Sequence, residues 1–171
     1  MIAGYYDKSN NKINPSVVAN APLYKKSPIR LTAFSDNHPV EWHNTIRYVQ
    51  YLDKLYKSIF KDDYTKRKRE TKHITNGLID NTIFTTLTLN YNFRTACHVD
   101  NGNTHYSILT TIGQWQGCYL GYPQYGVCVN VEEGDFLIMN PYEYHCNTAF
   151  EKQNQHRMSI VTYSRSGIID Q

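Results

Sequence analysis

After Gly77 the chain divides into short runs of alternating or apolar residues separated by turn-forming ones, and this feature limits the possible folds more than any other. The runs are 82–90, 93–98, 106–112, 117–120, 127–131, 136–139, 145–148 and 157–163. Strands this short and this closely spaced follow the pattern of a jelly roll or small barrel, because each buries one face and the chain must reverse between them. In the fifth run Val127, Val129 and Val131 share one face, with Cys128 and Asn130 on the other. Fifteen Tyr and six Phe fit the same reading, since aromatic rings suit a pleated surface. The expected fold is therefore mostly β, with the jelly-roll core at residues 78–165.

The first part of the chain is different. Residues 1–30 carry Pro15, Pro22 and Pro28 among polar residues and are expected to be an irregular or extended lead segment. From 41 to about 60, Ile46, Val49, Leu52, Leu55, Tyr56, Ile59 and Phe60 recur at three- and four-residue steps, which predicts a helix with one apolar face. Asp36 or Asn37 would cap it, with Pro39 in the first turn. The helical region is expected over 41–73, within a single domain spanning 1–171. Two readings stand for Lys66, Arg67, Lys68 and Arg69: a solvated helix face, or contacts to nucleic-acid phosphates.

At 171 residues the chain can bury a sizeable core without disulfides or a structural metal. No run of 18 apolar residues exists, and the start MIAGYYDKSNNK lacks a signal peptide's apolar segment, so a soluble, intracellular protein is expected. In that setting Cys97, Cys118, Cys128 and Cys146 read as reduced thiols. A net charge of +3 permits a polyanionic partner without requiring one.

Three residues suggest a metal centre. If 93–100 is extended, Arg94, Ala96, His98 and Asp100 lie on one face, so an imidazole and a carboxylate can converge. His145, in NPYEYHCNT, is the candidate third ligand. Two His and one carboxylate form the facial triad that leaves open positions on non-haem Fe(II). A zinc site of Cys97, His98, His145 and Cys146 is disfavoured, because neighbours on a strand point to opposite faces. Twelve residues beyond His145, Arg157 and Ser159 offer a guanidinium and a hydroxyl on one strand face, a suitable clamp for a carboxylate.

The order HxD, H, RxS resembles the 2-oxoglutarate and Fe(II) dependent dioxygenases, whose fold is a double-stranded β-helix of the jelly-roll, cupin-like type. The segments NFRTACHVD (92–100), GYPQYGV (121–127) and EGD (133–135) are similar to the Tet/JBP branch, which oxidises the 5-methyl group of pyrimidine bases in nucleic acid. The likeness extends over about 29–165. It implies that His98, Asp100 and His145 bind Fe(II), and that Arg157 and Ser159 hold the distal carboxylate of 2-oxoglutarate. Arg94 is the candidate for the other end of the co-substrate, and O2 is the second co-substrate.

The resemblance also implies DNA as the partner, presenting a flipped pyrimidine near the metal. Asn103 would read the base edge, Tyr163 would stack on it, and Arg165 stands where cytosine-oxidising members tend to carry His. That departure leaves thymine open beside 5-methylcytosine. The implied reaction is hydroxylation of the 5-methyl group by hydrogen abstraction and hydroxyl rebound. The alternatives are the same chemistry on RNA, a free nucleobase or a protein side chain, and a non-catalytic module that keeps the metal and binds nucleic acid.

Overall fold

The computed structural model describes residues 1–7, 29–152 and 154–170, so most of the expected lead segment lies outside the described residues. It forms two compact units: one of Met1 with 87–163, the other of 2–86 with 164–171. Among the described residues, no helix is long and apolar enough to cross a membrane.

The first unit is antiparallel β. Strands β3 (Thr86–Tyr91), β9 (His156–Arg165), β4 (Asn103–Gln114) and β7 (Phe136–Met139) follow one another across one sheet. Strands β6 (Val127–Val129), β5 (Leu120–Tyr122) and β8 (Cys146–Asn147) form a second. Leu109 and Met139 from the larger sheet and Leu120 from the smaller, with Val131, make one buried cluster, against which Tyr122, Val129, Leu137 and Val161 pack. Two sheets closing on one apolar core is the jelly-roll arrangement expected from the spacing of the runs. Four such side chains, at about 1.5–3 kcal/mol each, are enough to hold the sheets face to face.

Register fixes which side chains line this core. β4 pairs with β7 as Ser107↔Met139, Ile108↔Ile138, Leu109↔Leu137 and Thr110↔Phe136. Leu109 belongs to the core, so Ser107 and Thr111 share its face; on β9, Arg157 and Ser159 share the face of Val161. At the end of β4, Gly113 has φ +117, and a Cβ there would lie 2.0 Å from the His156 carbonyl oxygen. Only glycine lets β4 run this close to the start of β9.

Several expected strands differ: the one expected over 82–90 starts only at Thr86, and of 117–120 only Leu120 lies in a strand. Residues 93–97 form no strand; His98 makes an isolated bridge to His145 instead. In 127–131 the alternation holds for Val129 and Val131, but Val127 is 48% exposed at the sheet's outer edge.

In the second unit β1 (Ile2–Tyr6) pairs antiparallel with β2 (Arg30–Leu31), so part of the expected irregular segment is a strand. Helix α1 (Ala33–Asn37) is capped by Thr32, whose side chain accepts from the Ser35 amide. Asp36 and Asn37 therefore sit inside α1. Helix α2 (Pro39–Ile59) starts with Pro39 after His38, which makes no side-chain capping bond. Val49, Leu52 and Tyr56 are buried on its apolar face, whereas Ile59 and Phe60 are exposed.

Helix α3 (Lys61–Glu70) has Asp62 and Asp63 in its first turn and Arg67, Lys68 and Arg69 in its last, the distribution that complements the helix dipole. The basic run does not form one solvated face. Arg67 is 1% exposed, donates to Ser164 Oγ at 2.9 Å and lies over the rings of Tyr56 and Phe84. Helical periodicity explains this, since Tyr64, Arg67 and Thr71 all fall on the buried side. Arg67 is therefore withdrawn from the expected phosphate contacts. Lys66 and Arg69 are exposed, with Lys66 3.9 Å from Glu70, and Lys68 donates to the Asn81 carbonyl. Helix α4 (Ser166–Ile169) closes the described chain.

Candidate functional site

The core of the first unit leaves three ligating side chains together. His98 and His145 exchange backbone hydrogen bonds, with the His98 amide donating to the His145 carbonyl at 3.1 Å and the reverse at 2.9 Å. The Asp100 amide donates to the Pro141 carbonyl at 2.9 Å, tying the chain after His98 to the loop before His145. Sequence-distant ligands are thus brought together by short antiparallel pairing, not by the regular strand expected over 93–98.

Each imidazole is oriented by its own chain. His98 Nδ1 lies 2.9 Å from the Ala96 carbonyl, and His145 Nδ1 lies 2.8 Å from the Glu143 carbonyl. A carbonyl only accepts, so both Nδ1 atoms donate, and in the neutral ring this turns the Nε2 lone pair toward the centre. The Asp100 carboxylate faces these nitrogens, with Oδ1 3.2 Å from His98 Nε2 and Oδ2 4.0 Å from His145 Nε2. The three ligand atoms all lie within 4.8 Å of one another. Two imidazole nitrogens and one carboxylate oxygen turned to one point suit a non-haem Fe(II) with open positions. His145 is deeply buried and His98 partly exposed, so one side of the centre is open to solvent.

The expected anchor residues lie on β9 in the same unit, on the strand face of Val161. Arg157 is 3% exposed, and its Nε is buried with no hydrogen-bond partner. Burial pulls this guanidinium below its ordinary pKa, the expected response of a cation that water no longer solvates. A buried guanidinium N–H without an acceptor is costly, and a ligand carboxylate would satisfy it. Ser159 is also buried, two residues on along the same strand face. Arg94 is exposed, and its Nε donates to the Asn147 carbonyl at 3.2 Å. Burial raises the Cys118 thiol, while Arg157 and then Arg94 pull it back, so both guanidiniums act on one interior group.

The three residues expected to meet the base are placed differently. Asn103 is buried at the start of β4, its amide donating to the Asp100 carbonyl at 3.2 Å, directly after the ligand loop. Tyr163 is buried, with its hydroxyl 3.1 Å from Thr88 Oγ1. Arg165 is not a surface charge. It is buried in the second unit, where its Nε donates to Asp7 Oδ2 at 3.4 Å and its amide donates to Thr85 Oγ1. A cation committed to a buried carboxylate cannot be given up cheaply to a ligand.

The cysteines agree with the reduced reading: all four are free. The only grouping of three or more metal-ligating side chains among the described residues is His98, Asp100 and His145. Two further residues, buried Cys118 and partly buried Trp115, had no signal in the sequence. Cys118 is 2% exposed, and Trp115 carries Arg157 over its ring, contacts made only by the folded chain.

Comparison with known proteins agrees with this geometry. The Tet_JBP family model, described as the oxygenase domain of the 2OGFeDO superfamily, matches residues 2–166. The chain is 29% identical over 181 residues to a thymine dioxygenase JBP1 of Trypanosoma brucei brucei, a match covering 99% of this chain and 19% of that protein. It is 30% identical over 178 residues to a thymine dioxygenase JBP1 of Crithidia fasciculata, covering 98% of this chain and 20% of the relative. The chain thus spans about a fifth of the length of these relatives. A solved structure described as NgTET1 in complex with 5mC DNA superposes with a TM-score of 0.70 at 17% identity, covering 97% of this chain and 61% of that one. At that identity the likeness establishes the fold.

Proposed function

The chain belongs to the Tet_JBP family of 2-oxoglutarate and Fe(II) dependent oxygenase domains, and on that footing we propose that it hydroxylates the 5-methyl group of a pyrimidine base in DNA. The observation that carries this reading is the pairing of one His98–Asp100–His145 cluster with a buried Arg157, whose Nε has no hydrogen-bond partner, in the same unit. A metal site alone would serve many reactions. A metal site with an interior carboxylate anchor selects an oxygenase that consumes a dicarboxylic 2-oxo acid.

In this reading His98 and His145 offer Nε2 to the metal while their Nδ1 hydrogens stay on backbone carbonyls, which fixes ring orientation. Asp100 completes the metal set and keeps one position occupied by the protein. Arg157 and Ser159 grip the distal carboxylate of 2-oxoglutarate, and Arg94 takes the other end. An Fe(II) ion held by these three residues would supply O2 activation coupled to oxidative decarboxylation of 2-oxoglutarate, the chemistry that turns a methyl group into a hydroxymethyl group. A methyl group inside a duplex cannot reach an interior metal, so the nucleotide must be flipped out. Asn103, next to the ligand loop, is then the edge reader and Tyr163 the stacking ring; Arg165, held by Asp7, is not assigned to the base.

Relatives named thymine dioxygenase favour thymine as the substrate. The test is incubation with Fe(II), 2-oxoglutarate and ascorbate on DNA containing thymine alone or also 5-methylcytosine, followed by nucleoside mass spectrometry. The expected product is 5-hydroxymethyluracil. Active 2-oxoglutarate consumption with neither DNA base oxidised would contradict the proposal.

A further inference from the structure

Arg157 is fixed at both ends. Its backbone is clamped by Asn92, whose amide donates to the Arg157 carbonyl and whose Oδ1 accepts from the Arg157 amide, each at 2.8 Å. Its guanidinium carbon lies 5.4 Å from the centroid of the Trp115 ring. A cation over an aromatic ring is held through its face, whereas a carboxylate binds a guanidinium through the N–H groups at its edge. The two contacts are therefore compatible, and the Nε edge of Arg157 is the one left buried without a partner. The backbone is also shaped for this contact. Gly113 allows the end of β4 to approach His156 so closely that any side chain would collide, and Trp115 follows two residues later.

We propose that Trp115 is the positioning residue of the carboxylate clamp: its indole holds the Arg157 guanidinium edge-on to the distal carboxylate, and so sets the preference for 2-oxoglutarate over 2-oxo acids that lack it. This rests on the oxygenase reading above. An arginine side chain has several rotatable bonds, and a clamp held by one ring loses little freedom when ligand arrives. Without the ring the same guanidinium must be ordered by the ligand itself, and affinity falls.

The test is calorimetric titration of Fe(II)-loaded protein, without oxygen, using 2-oxoglutarate and 2-oxobutyrate, which keeps the 2-oxo acid end and lacks the second carboxylate. Trp115→Ala should raise the dissociation constant for 2-oxoglutarate by up to about tenfold, between the scales of an exposed and a desolvated cation–π contact, and Trp115→Phe should recover most of it. Binding of 2-oxobutyrate should be unchanged in both. Should Trp115→Ala fail to fold, fluorescence excited selectively at the indole decides, because the chain has two tryptophans and Trp42→Phe leaves Trp115 as the sole one. Its emission should change with 2-oxoglutarate and not with 2-oxobutyrate. Wild-type-like 2-oxoglutarate affinity in Trp115→Ala, equal losses for both acids, or an emission insensitive to bound 2-oxoglutarate would overturn the inference alone. A wild-type protein with no affinity for 2-oxoglutarate would overturn the oxygenase reading and this inference with it.

Discussion

Replacing His98 or Asp100 by alanine is expected to abolish metal binding and base oxidation while leaving the fold in place. The reason is geometric. The cluster offers three ligand atoms within 4.8 Å of one another, and no other described group of His, Cys, Asp and Glu could replace a lost one. Loss of a partner hydrogen-bonded behind a metal ligand already costs roughly 10- to 100-fold in affinity, so loss of a ligand should exceed about 100-fold. Stability should change little, since His98 and Asp100 are partly exposed and the bridge between His98 and His145 is made by backbone atoms that alanine retains. Titration with Fe(II) in the absence of oxygen, beside thermal melts of each variant, checks both halves. Retained metal affinity in either variant would remove the triad from the account.

Replacing Arg67 by alanine should act in the opposite way, costing stability and not ligand binding. Arg67 is nearly fully buried, bonded to Ser164 Oγ at 2.9 Å, with its guanidinium carbon 5.1 Å from the Tyr56 ring centroid and 5.3 Å from that of Phe84. Alanine removes two cation–π contacts, one hydrogen bond and most of a large side chain, leaving a cavity between α2 and α3. A loss of about 2–4 kcal/mol is expected from the cavity and the contacts together. Arg67→Met, which keeps volume and removes the buried charge, should lose less. Lys66→Ala and Arg69→Ala, at exposed positions, should stay within about 0.5 kcal/mol of wild type. Denaturant unfolding ranks the four. If the exposed pair touches phosphates, their loss weakens DNA binding and flattens its salt dependence, which Arg67→Met should not do.

The same run shows what could be read from sequence and what could not. Four consecutive cations suggest a surface, and the composition of the run hides its helical phase. Its neighbours hold the correction: Tyr64, Arg67 and Thr71 repeat at three- and four-residue steps, the spacing of a buried face. The convergence of His98, Asp100 and His145 was legible because HxD is local and His145 opens a strand-like run, although the expected regular strand over 93–98 is a single bridge at His98. Arg157 and Ser159 were legible because two-residue spacing on β9 puts both on the core face with Val161. Contacts that depend on distant residues left no local trace. Asp7 and Arg165 are 158 positions apart, and nothing near either predicts their pairing. Trp115 and Arg157 meet only because Gly113 lets two strands approach closely.

The central claim is that the metal cluster and the Arg157 anchor serve one coupled reaction on DNA, and coupling can be measured directly. Release of carbon dioxide from carboxyl-labelled 2-oxoglutarate should be slow with protein and Fe(II) alone, rise when thymine-containing DNA is added, and match the hydroxymethylated base formed in the same tube. Carbon dioxide release indifferent to DNA, with no oxidised base, would contradict the account.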